Sequence, residues 1–211
     1  MFYDASKRLI DIVGSLAGII FLSPFLVFFS LWIKLNSSGP ILADTSMRVG
    51  HNGKLFRMYK FRSMVMGAQK ILEKNKILWE KYKKNSYKLS TDEDPRITSI
   101  GRFIRKTSID ELPQLLNILK GEMSIVGPRA YYPFELEEQQ KKYPEAKEFV
   151  KIILSAKPGL TGVWQVSGRS EINFDKRVEM DAQYVQRRSI LYDIYIMLKT
   201  IPAVFFGRGA V

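Results

Sequence analysis

Ile12-Val-Gly-Ser-Leu-Ala-Gly-Ile-Ile-Phe-Leu-Ser-Pro-Phe-Leu-Val-Phe-Phe-Ser-Leu-Trp-Ile33 runs for 22 residues without an aspartate, glutamate, lysine or arginine. As a helix it is long enough to cross a hydrocarbon layer of roughly 30 Å. A cleaved leader has a shorter apolar region, about 7–15 residues, ending at a small-residue cleavage site. A soluble helix is seldom apolar on every side. Ser23-Pro24 interrupts the middle of the run, and proline removes a backbone donor and crowds the preceding turn, which bends a helix. Lys7 and Arg8 precede the run, while Lys34, Arg48, Lys54, Arg57, Lys60 and Arg62 follow it. Basic flanks favour the cytoplasmic side, and both flanks comply only when both ends emerge there. The stretch therefore predicts a bent, re-entrant helix in preference to a straight span, with residues 1–36 as the membrane-embedded part and residues 37–211 as a domain outside the bilayer.

The rest of the composition narrows the chemistry. A chain of 211 residues can bury a sizeable core. It has no cysteine, which excludes disulfide frameworks, thiolate metal sites and a cysteine nucleophile. His51 is the single histidine and lies in Arg48-Val-Gly-His-Asn-Gly-Lys54, a turn between strands, so a serine–histidine triad is not expected. The formal charge of +12 calls for an anionic partner. Nucleic acid, anionic lipid and phosphorylated substrates all satisfy it.

Past the apolar run, Pro40–Ala43 and Leu55–Met64 read as short strands around the Val49–Gly53 turn. Residues 66–88 are lysine-rich, with Ile71, Leu72, Leu78, Trp79 and Tyr82 at helical spacing, and predict one amphipathic helix. After the polar break Thr91–Pro95, a helix is expected over Thr98–Lys106. Ser108 and Glu111 then fit a capping box, Leu112, Leu115, Leu116 and Leu119 recur as on a helix, and Gly121 ends it.

Asp110-Glu111 sits at that helix start. Acidic residues there favour the positive end of the helix dipole, and for an isolated pair this is the ordinary explanation. The surroundings add to it: Arg105 lies five residues upstream and Arg129 follows Val126-Gly127-Pro128. Arginine presents a planar fork to phosphate oxygens. Carboxylates beside phosphates need a cation, for which Mg2+ held by one or two carboxylates and the phosphates is the expected choice. No Walker loop is present. Lys157–Arg169 is a second polar block, with three glycines, a proline, Trp164 and Gln165, and reads as a loop that lets backbone approach a ligand. Ile190–Phe206 predicts a largely apolar helix that packs on the domain or lies at a membrane surface.

These blocks together resemble the bacterial sugar transferases, the monotopic polyprenyl-phosphate phosphoglycosyl transferases. The resemblance runs through Lys7-Arg8 and Asp11, Ser23-Pro24, Tyr59-Lys-Phe-Arg-Ser-Met64, Asp94-Pro-Arg96, Ser108–Arg129, Pro158–Arg169 and the Gly207–Ala210 tail. It implies an α/β fold, a small sheet surrounded by helices, with interfacial amphipathic helices and the re-entrant helix at the cytoplasmic face of the inner membrane. It implies transfer of a sugar-1-phosphate from a UDP-sugar to undecaprenyl phosphate, with release of UMP and an aspartyl phosphosugar intermediate, as the first membrane step of a cell-surface polysaccharide or glycoconjugate. Asp110 is then the nucleophile, and Glu111 assists and helps hold Mg2+ with Asp110. Arg105, Arg129 and Lys60 bind phosphate, and Gln165 and Arg169 contact nucleotide or sugar. Membrane lipid is a partner, nucleic acid is not, and a homodimer is allowed. The hexose-1-phosphate branch is favoured, with the donor sugar left open. Where the family commonly reads Pro-Arg-Pro, this chain has Pro128-Arg129-Ala130, which implies a less rigid backbone there. The rival reading, a non-catalytic membrane-anchored basic protein that binds nucleic acid or acidic lipid, accounts for the charge and the apolar run but not for Asp110-Glu111 between two arginines.

Overall fold

A computed structural model describes residues 2–85, 89–168 and 172–205. Helix α1 (Phe2–Asn36) contains the whole apolar run, about 52 Å of helix. It lies along the body of the protein. Asp11, Ser15, Ile19, Leu22, Leu26, Phe29 and Ile33, spaced four or three apart, make the stripe that turns inward. The opposite side is bare, with Phe21 80% and Leu35 86% exposed. Pro24 has no N–H for the carbonyl of Ile20, and the Ser23 hydroxyl donates to that carbonyl instead at 2.8 Å.

The stripe packs on two short helices. Ile19 and Leu22 meet Leu115 and Ile118 of α5 (Gln114–Lys120), and Leu26, Phe29 and Ile33 meet Ile100 and Ile104 of α4 (Ser99–Lys106). Polar bonds tie down both ends. Arg8 donates through Nη1 and Nη2 to the carbonyls of Ile118 and Leu119 at 2.6 and 2.7 Å, satisfying orphan acceptors at the end of α5. Buried Asp11 accepts from the Ser124 hydroxyl at 3.0 Å and the Ile125 amide at 2.9 Å. At the far end Asn36 Nδ2 donates to the Ser99 hydroxyl at 3.1 Å. Arg62 donates to the carbonyls of Ser37, Ser38 and Pro40, which fixes the exit of the chain from α1.

Two small sheets sit among the helices. Strands β1 (Arg48–Val49) and β2 (Leu55–Phe56) pair antiparallel around the expected turn. The expected strand at Pro40–Ala43 reduces to a single bridge between Leu42 and Phe61, because the carbonyls before it are taken by Arg62. Strands β3 (Ser124–Val126) and β4 (Gly159–Thr161) pair parallel, and the connection between them carries α6 (Pro133–Lys142) and α7 (Ala146–Leu154). Parallel strands need such a crossover. A Cβ on Gly127 or Gly159 would overlap the backbone of the facing strand, so close strand approach accounts for these glycines. The block Lys157–Arg169 is therefore not one loop: it supplies β4 and helix α8 (Val163–Ser167), with Arg169 outside the described residues. Helix α9 (Phe174–Arg187) packs Val178 and Ala182 against Val150 and Ile153 of α7. Helix α10 (Ile190–Phe205) forms where expected and contacts α1.

The single lysine-rich helix divides. Within residues 66–88 the chain forms α2 (Ala68–Lys74) and α3 (Lys76–Lys84), separated at Asn75, whose side chain accepts from the Leu78 amide at 3.1 Å and caps α3. Helix α4 starts as expected, with Thr98 Oγ1 accepting from the Gly101 amide at 3.0 Å. Asp94 and Arg96 form a buried bidentate pair at 2.7–2.8 Å inside their own loop, so this motif shapes the loop. Architecturally the molecule is mostly helical with two small sheets, and many of its exposed apolar side chains lie on α1, with others on α4 (Phe103), α5 (Leu116) and α10 (Leu191, Leu198) and some, such as Ile77, elsewhere. The helices α4, α5 and α10 all contact α1.

Asp11 is the acceptor for two donors buried with it, so Asp11→Ala should destabilise the fold by about 1–3 kcal/mol. Asp11→Asn, which keeps one acceptor oxygen, should cost less. Thermal unfolding in detergent checks the order; equal midpoints for Asp11→Ala and the unaltered protein would contradict it.

Candidate active site

Asp110 and Glu111 occupy a one-turn 3-10 helix, Ile109–Glu111, between α4 and α5. The capping box does not form. Ser108 takes a left-handed conformation with φ of 57° and its side chain caps nothing; α5 begins only at Gln114, after Pro113. The reason is local: Thr107 closes α4 through its hydroxyl to the Phe103 carbonyl, and the left-handed Ser108 reverses the chain so that Asp110 turns inward. Leu115 is buried and Leu116 exposed, and Gly121 ends α5 with φ of 81°.

The inward turn is held by a neighbouring extended segment. The Phe61 amide donates to the Asp110 carbonyl at 2.9 Å. Asn117 of α5 accepts from the Tyr59 amide at 2.8 Å and donates to the Arg57 carbonyl at 2.8 Å and to Glu122 at 2.6 Å. With Tyr59 and Phe61 both fixed, Lys60 is aimed at the acidic pair: its Nζ lies 2.6 Å from Glu111 Oε1 and 3.9 Å from Asp110 Oδ2. The Asp110 side chain is 10% exposed and that of Glu111 is 34% exposed. Burial pushes the Asp110 carboxyl up to about 6; Lys60 and Arg105 act to lower it and Glu111 to raise it. A carboxylate stripped of water in this way, beside a cation and open to ligand on the Glu111 side, can attack an electrophilic phosphorus.

Three of the five binding residues expected from the sequence fall near this pair. Lys60 touches it, Arg105 acts electrostatically on Asp110, and Arg129 acts with Glu111. The Arg129 amide donates to Asp181 at 2.9 Å, and its guanidinium carbon lies 4.9 Å from the centre of the Trp164 ring. Gln165 donates to the Leu160 carbonyl at 2.9 Å, within its own segment.

Helix α9 contributes a cluster that the sequence reading did not single out. Arg177 and Asp181 are buried on its inward side, and the Arg177 guanidinium carbon lies 5.1 Å from the Trp164 ring centre. Trp164 thus has arginines at two sides. The signal in the sequence was a charged pair four residues apart on a helix whose apolar positions, Phe174, Val178, Ala182 and Val185, define the same buried side. Buried Arg48 is a further case, placed by β1 beside the 130–132 segment.

No cluster of three or more acidic, histidine or cysteine side chains forms among the described residues. A divalent cation would accordingly draw on the Asp110 and Glu111 oxygens and on ligand phosphates. These are hard donors suited to Mg2+, and the Lys60 ammonium already marks the space beside them as favourable to positive charge.

Comparison with known proteins identifies a family for the chain. The bacterial sugar transferase family matches residues 2–207. An undecaprenyl-phosphate galactose phosphotransferase from Salmonella typhimurium is 45% identical over 211 residues, covering 97% of this chain and 41% of the relative. The exopolysaccharide production protein ExoY of Sinorhizobium fredii is 42% identical over 97% of this chain and 88% of its own length. A UDP-glucose:undecaprenyl-phosphate glucose-1-phosphate transferase from Escherichia coli is 36% identical, covering 97% of this chain and 41% of the relative. The chain thus spans less than half of two of these relatives and most of the third.

Burial holds the Asp181 carboxyl up at about 7, while the Arg129 amide and the guanidiniums of Arg177 and Arg129 act to lower it. Between pH about 4, where an unfolded aspartate titrates, and about 7, the folded state retains a proton that the unfolded chain has released. The associated stability is present in acid and is lost as pH rises through about 7. Asp181→Asn should therefore gain on the unaltered protein as pH goes from 5 to 8. A difference in unfolding midpoint that stays constant over that range would refute the assignment.

Proposed function

The chain belongs to the bacterial sugar transferase family, and from that premise we propose that it transfers a hexose-1-phosphate from a UDP-sugar to undecaprenyl phosphate. The observation that carries the proposal is the buried Asp110 carboxylate with Lys60 set between it and Glu111. Asp110 attacks the sugar-proximal phosphorus of the donor. The bond from that phosphorus to the bridging oxygen breaks, and the oxygen leaves with UMP. An oxygen of the acceptor phosphate then attacks the same phosphorus, the bond to Asp110 breaks, and the carboxylate is restored with the polyprenyl diphosphate sugar as product. Splitting one displacement into two lets a positioned carboxylate expel UMP, and the acceptor phosphate then has only the aspartyl carboxylate to displace.

Burial raises the energy of the free carboxylate and so favours its attack. Lys60 and Arg105 supply positive charge where the donor's diphosphate would lie, and Arg129 adds to it from the Glu111 side. Asp110 and Glu111 would hold Mg2+, which when bound neutralises the diphosphate and the departing UMP. Gln165 and Arg169 are assigned to the nucleotide or sugar on the family resemblance alone.

The acceptor lipid is reached from the membrane. Helix α1 is apolar enough to cross a bilayer, yet its first third is bonded to α5 and β3 and its last residue to α4, all parts of one body. A straight span would drag that body into the hydrocarbon. We therefore assign α1 to a re-entrant position at the cytoplasmic face of the inner membrane, with the bare side of α1 and the adjoining apolar side chains of α4, α5 and α10 toward lipid and the site near the headgroups.

Purified protein with Mg2+ and undecaprenyl phosphate should release UMP from UDP-galactose or UDP-glucose. Asp110→Asn should lower this rate by at least about 10^3-fold. A variant that keeps full turnover would remove Asp110 as nucleophile, and no UMP from a broad UDP-sugar panel would remove the activity. The absence of native cysteine permits a topology test. Single cysteines at the exposed polar positions Ser6 and Ser38, at the two ends of α1, should both react with a membrane-impermeant thiol reagent from the same side of sealed vesicles; labelling from opposite sides would establish a span.

A further inference from the structure

We infer that Arg48 is a substrate-binding residue: with Arg129 it forms a clamp of two guanidiniums beside Glu111 that takes the diphosphate of the nucleotide donor. The identity of the donor rests on the proposed function; the clamp rests on the residues themselves.

Arg48 opens β1, pairs with Phe56 and is only 7% exposed. The backbone of β1 is tied to the segment after β3, since the Val49 amide donates to the Tyr131 carbonyl at 2.9 Å. The Arg48 side chain follows the same path. Its Nη1 donates to the Ala130 carbonyl at 3.0 Å, and its guanidinium carbon lies over the Tyr132 ring, 3.3 Å from the centre. These two contacts use one edge and one face of the fork and leave Nε buried without a hydrogen-bond partner. Arg129 shows the same pattern. Trp164 and Tyr131 flank its guanidinium at 4.9 and 5.7 Å, and its Nε is likewise buried and unpartnered.

Two buried guanidiniums within electrostatic range repel each other, and Arg129 accordingly acts to depress the Arg48 pKa, behind the larger effect of burial. Glu135 and Glu111 act on both arginines; they help raise the Arg129 pKa despite its burial, with Asp181 a further carboxylate beside Arg129, whereas burial holds the Arg48 pKa down. Glu111 is already bonded to Lys60, and Glu135 accepts from the Tyr132 amide at 3.4 Å. Placing Arg48 out of water beside a second guanidinium, with Nε unsatisfied on both, is costly in the absence of a further anion. Aromatic rings have locked both forks in place beforehand, which lowers the ordering cost of binding and suits the several oxygens of a diphosphate. Glu111 acts electrostatically on both arginines, which directs such an anion toward the acidic pair, where the donor's phosphorus must be. Ala130 has a part in this: its carbonyl is the acceptor that orients Arg48.

The test uses the full chain in detergent with Mg2+. Binding of UDP, UMP and inorganic pyrophosphate is measured by calorimetry, beside the thermal midpoint and the KM values for UDP-sugar and for undecaprenyl phosphate. Arg48→Met should weaken UDP and pyrophosphate at least tenfold, weaken UMP less, and raise KM for the UDP-sugar while leaving KM for undecaprenyl phosphate unchanged. If Arg48→Met does not fold, Arg48→Lys decides: it retains the charge without the planar fork and should weaken UDP at least threefold. UDP affinity within twofold of the unaltered protein in a folded variant overturns the inference. So does an equal loss for UDP and UMP with a lowered midpoint, which marks a role in scaffold alone, or a rise confined to KM for the lipid, which marks acceptor binding. An unaltered protein that binds neither UDP nor pyrophosphate also overturns it. Arg48-dependent UDP binding without turnover of any UDP-sugar would instead sink the transfer reaction and leave the clamp standing.

Discussion

The attachment of α1 to the rest of the chain is the constraint on which this structure depends. Arg8 closes the end of α5 and Asp11 takes the first donors of β3. α5 follows the turn that carries Asp110, and β3 leads to Arg129. One polar latch therefore sets the long apolar helix, the acidic pair and the segment that carries Arg129 in a fixed relation. The apolar stripe from Ile19 to Ile33 extends that relation along α4, where Arg105 is found. A helix held this way along its length cannot move independently of the acidic pair, and in the proposed re-entrant placement its bare side sets where that pair stands relative to lipid.

The acidic pair depends in turn on the segment Arg57–Phe61, which has almost no regular strand structure. Asn117 supplies what a strand partner would: its side chain gives one acceptor to Tyr59 and one donor to Arg57, while the Asp110 carbonyl takes the Phe61 amide. The alternation of an extended chain then leaves Lys60 pointing to the carboxylates. Asn117 is fully buried, and its hydrogen bonds are matched to that position. Rigid support from polar side chains of this kind suits a site that must bring anions together, because the charges cannot relax away from the geometry they create.

Legibility differed between parts of the chain for physical reasons. Helix α4 with its Thr98 cap, the α5 stop at Gly121, the turn between β1 and β2 and helix α10 are governed by neighbours in sequence, and they formed as expected. The capping box at Ser108 did not, because a left-handed turn that buries Asp110 against Phe61 competes with a cap and wins through a contact 49 residues away in the chain. The lysine-rich helix broke at Asn75, where the side chain caps the second piece more favourably than it continues the first. Glycines that suggested a ligand loop at Gly159 prove to serve the close pairing of β3 and β4.

The sequence by itself determined the long apolar helix with its proline, the basic character, the absence of thiol and triad chemistry, and the candidates Asp110, Glu111, Lys60, Arg105 and Arg129, since composition, periodicity and ordered motifs are local properties. The tertiary structure alone decided that α1 lies on the body and that Lys60 sits between the carboxylates. It also decided that Arg177 and Asp181 reach the Trp164 neighbourhood and that Arg48 joins Arg129. Those outcomes depend on which buried donors meet which buried acceptors across long stretches of chain, and hydrogen-bond satisfaction in a packed interior is settled only when the whole chain has folded.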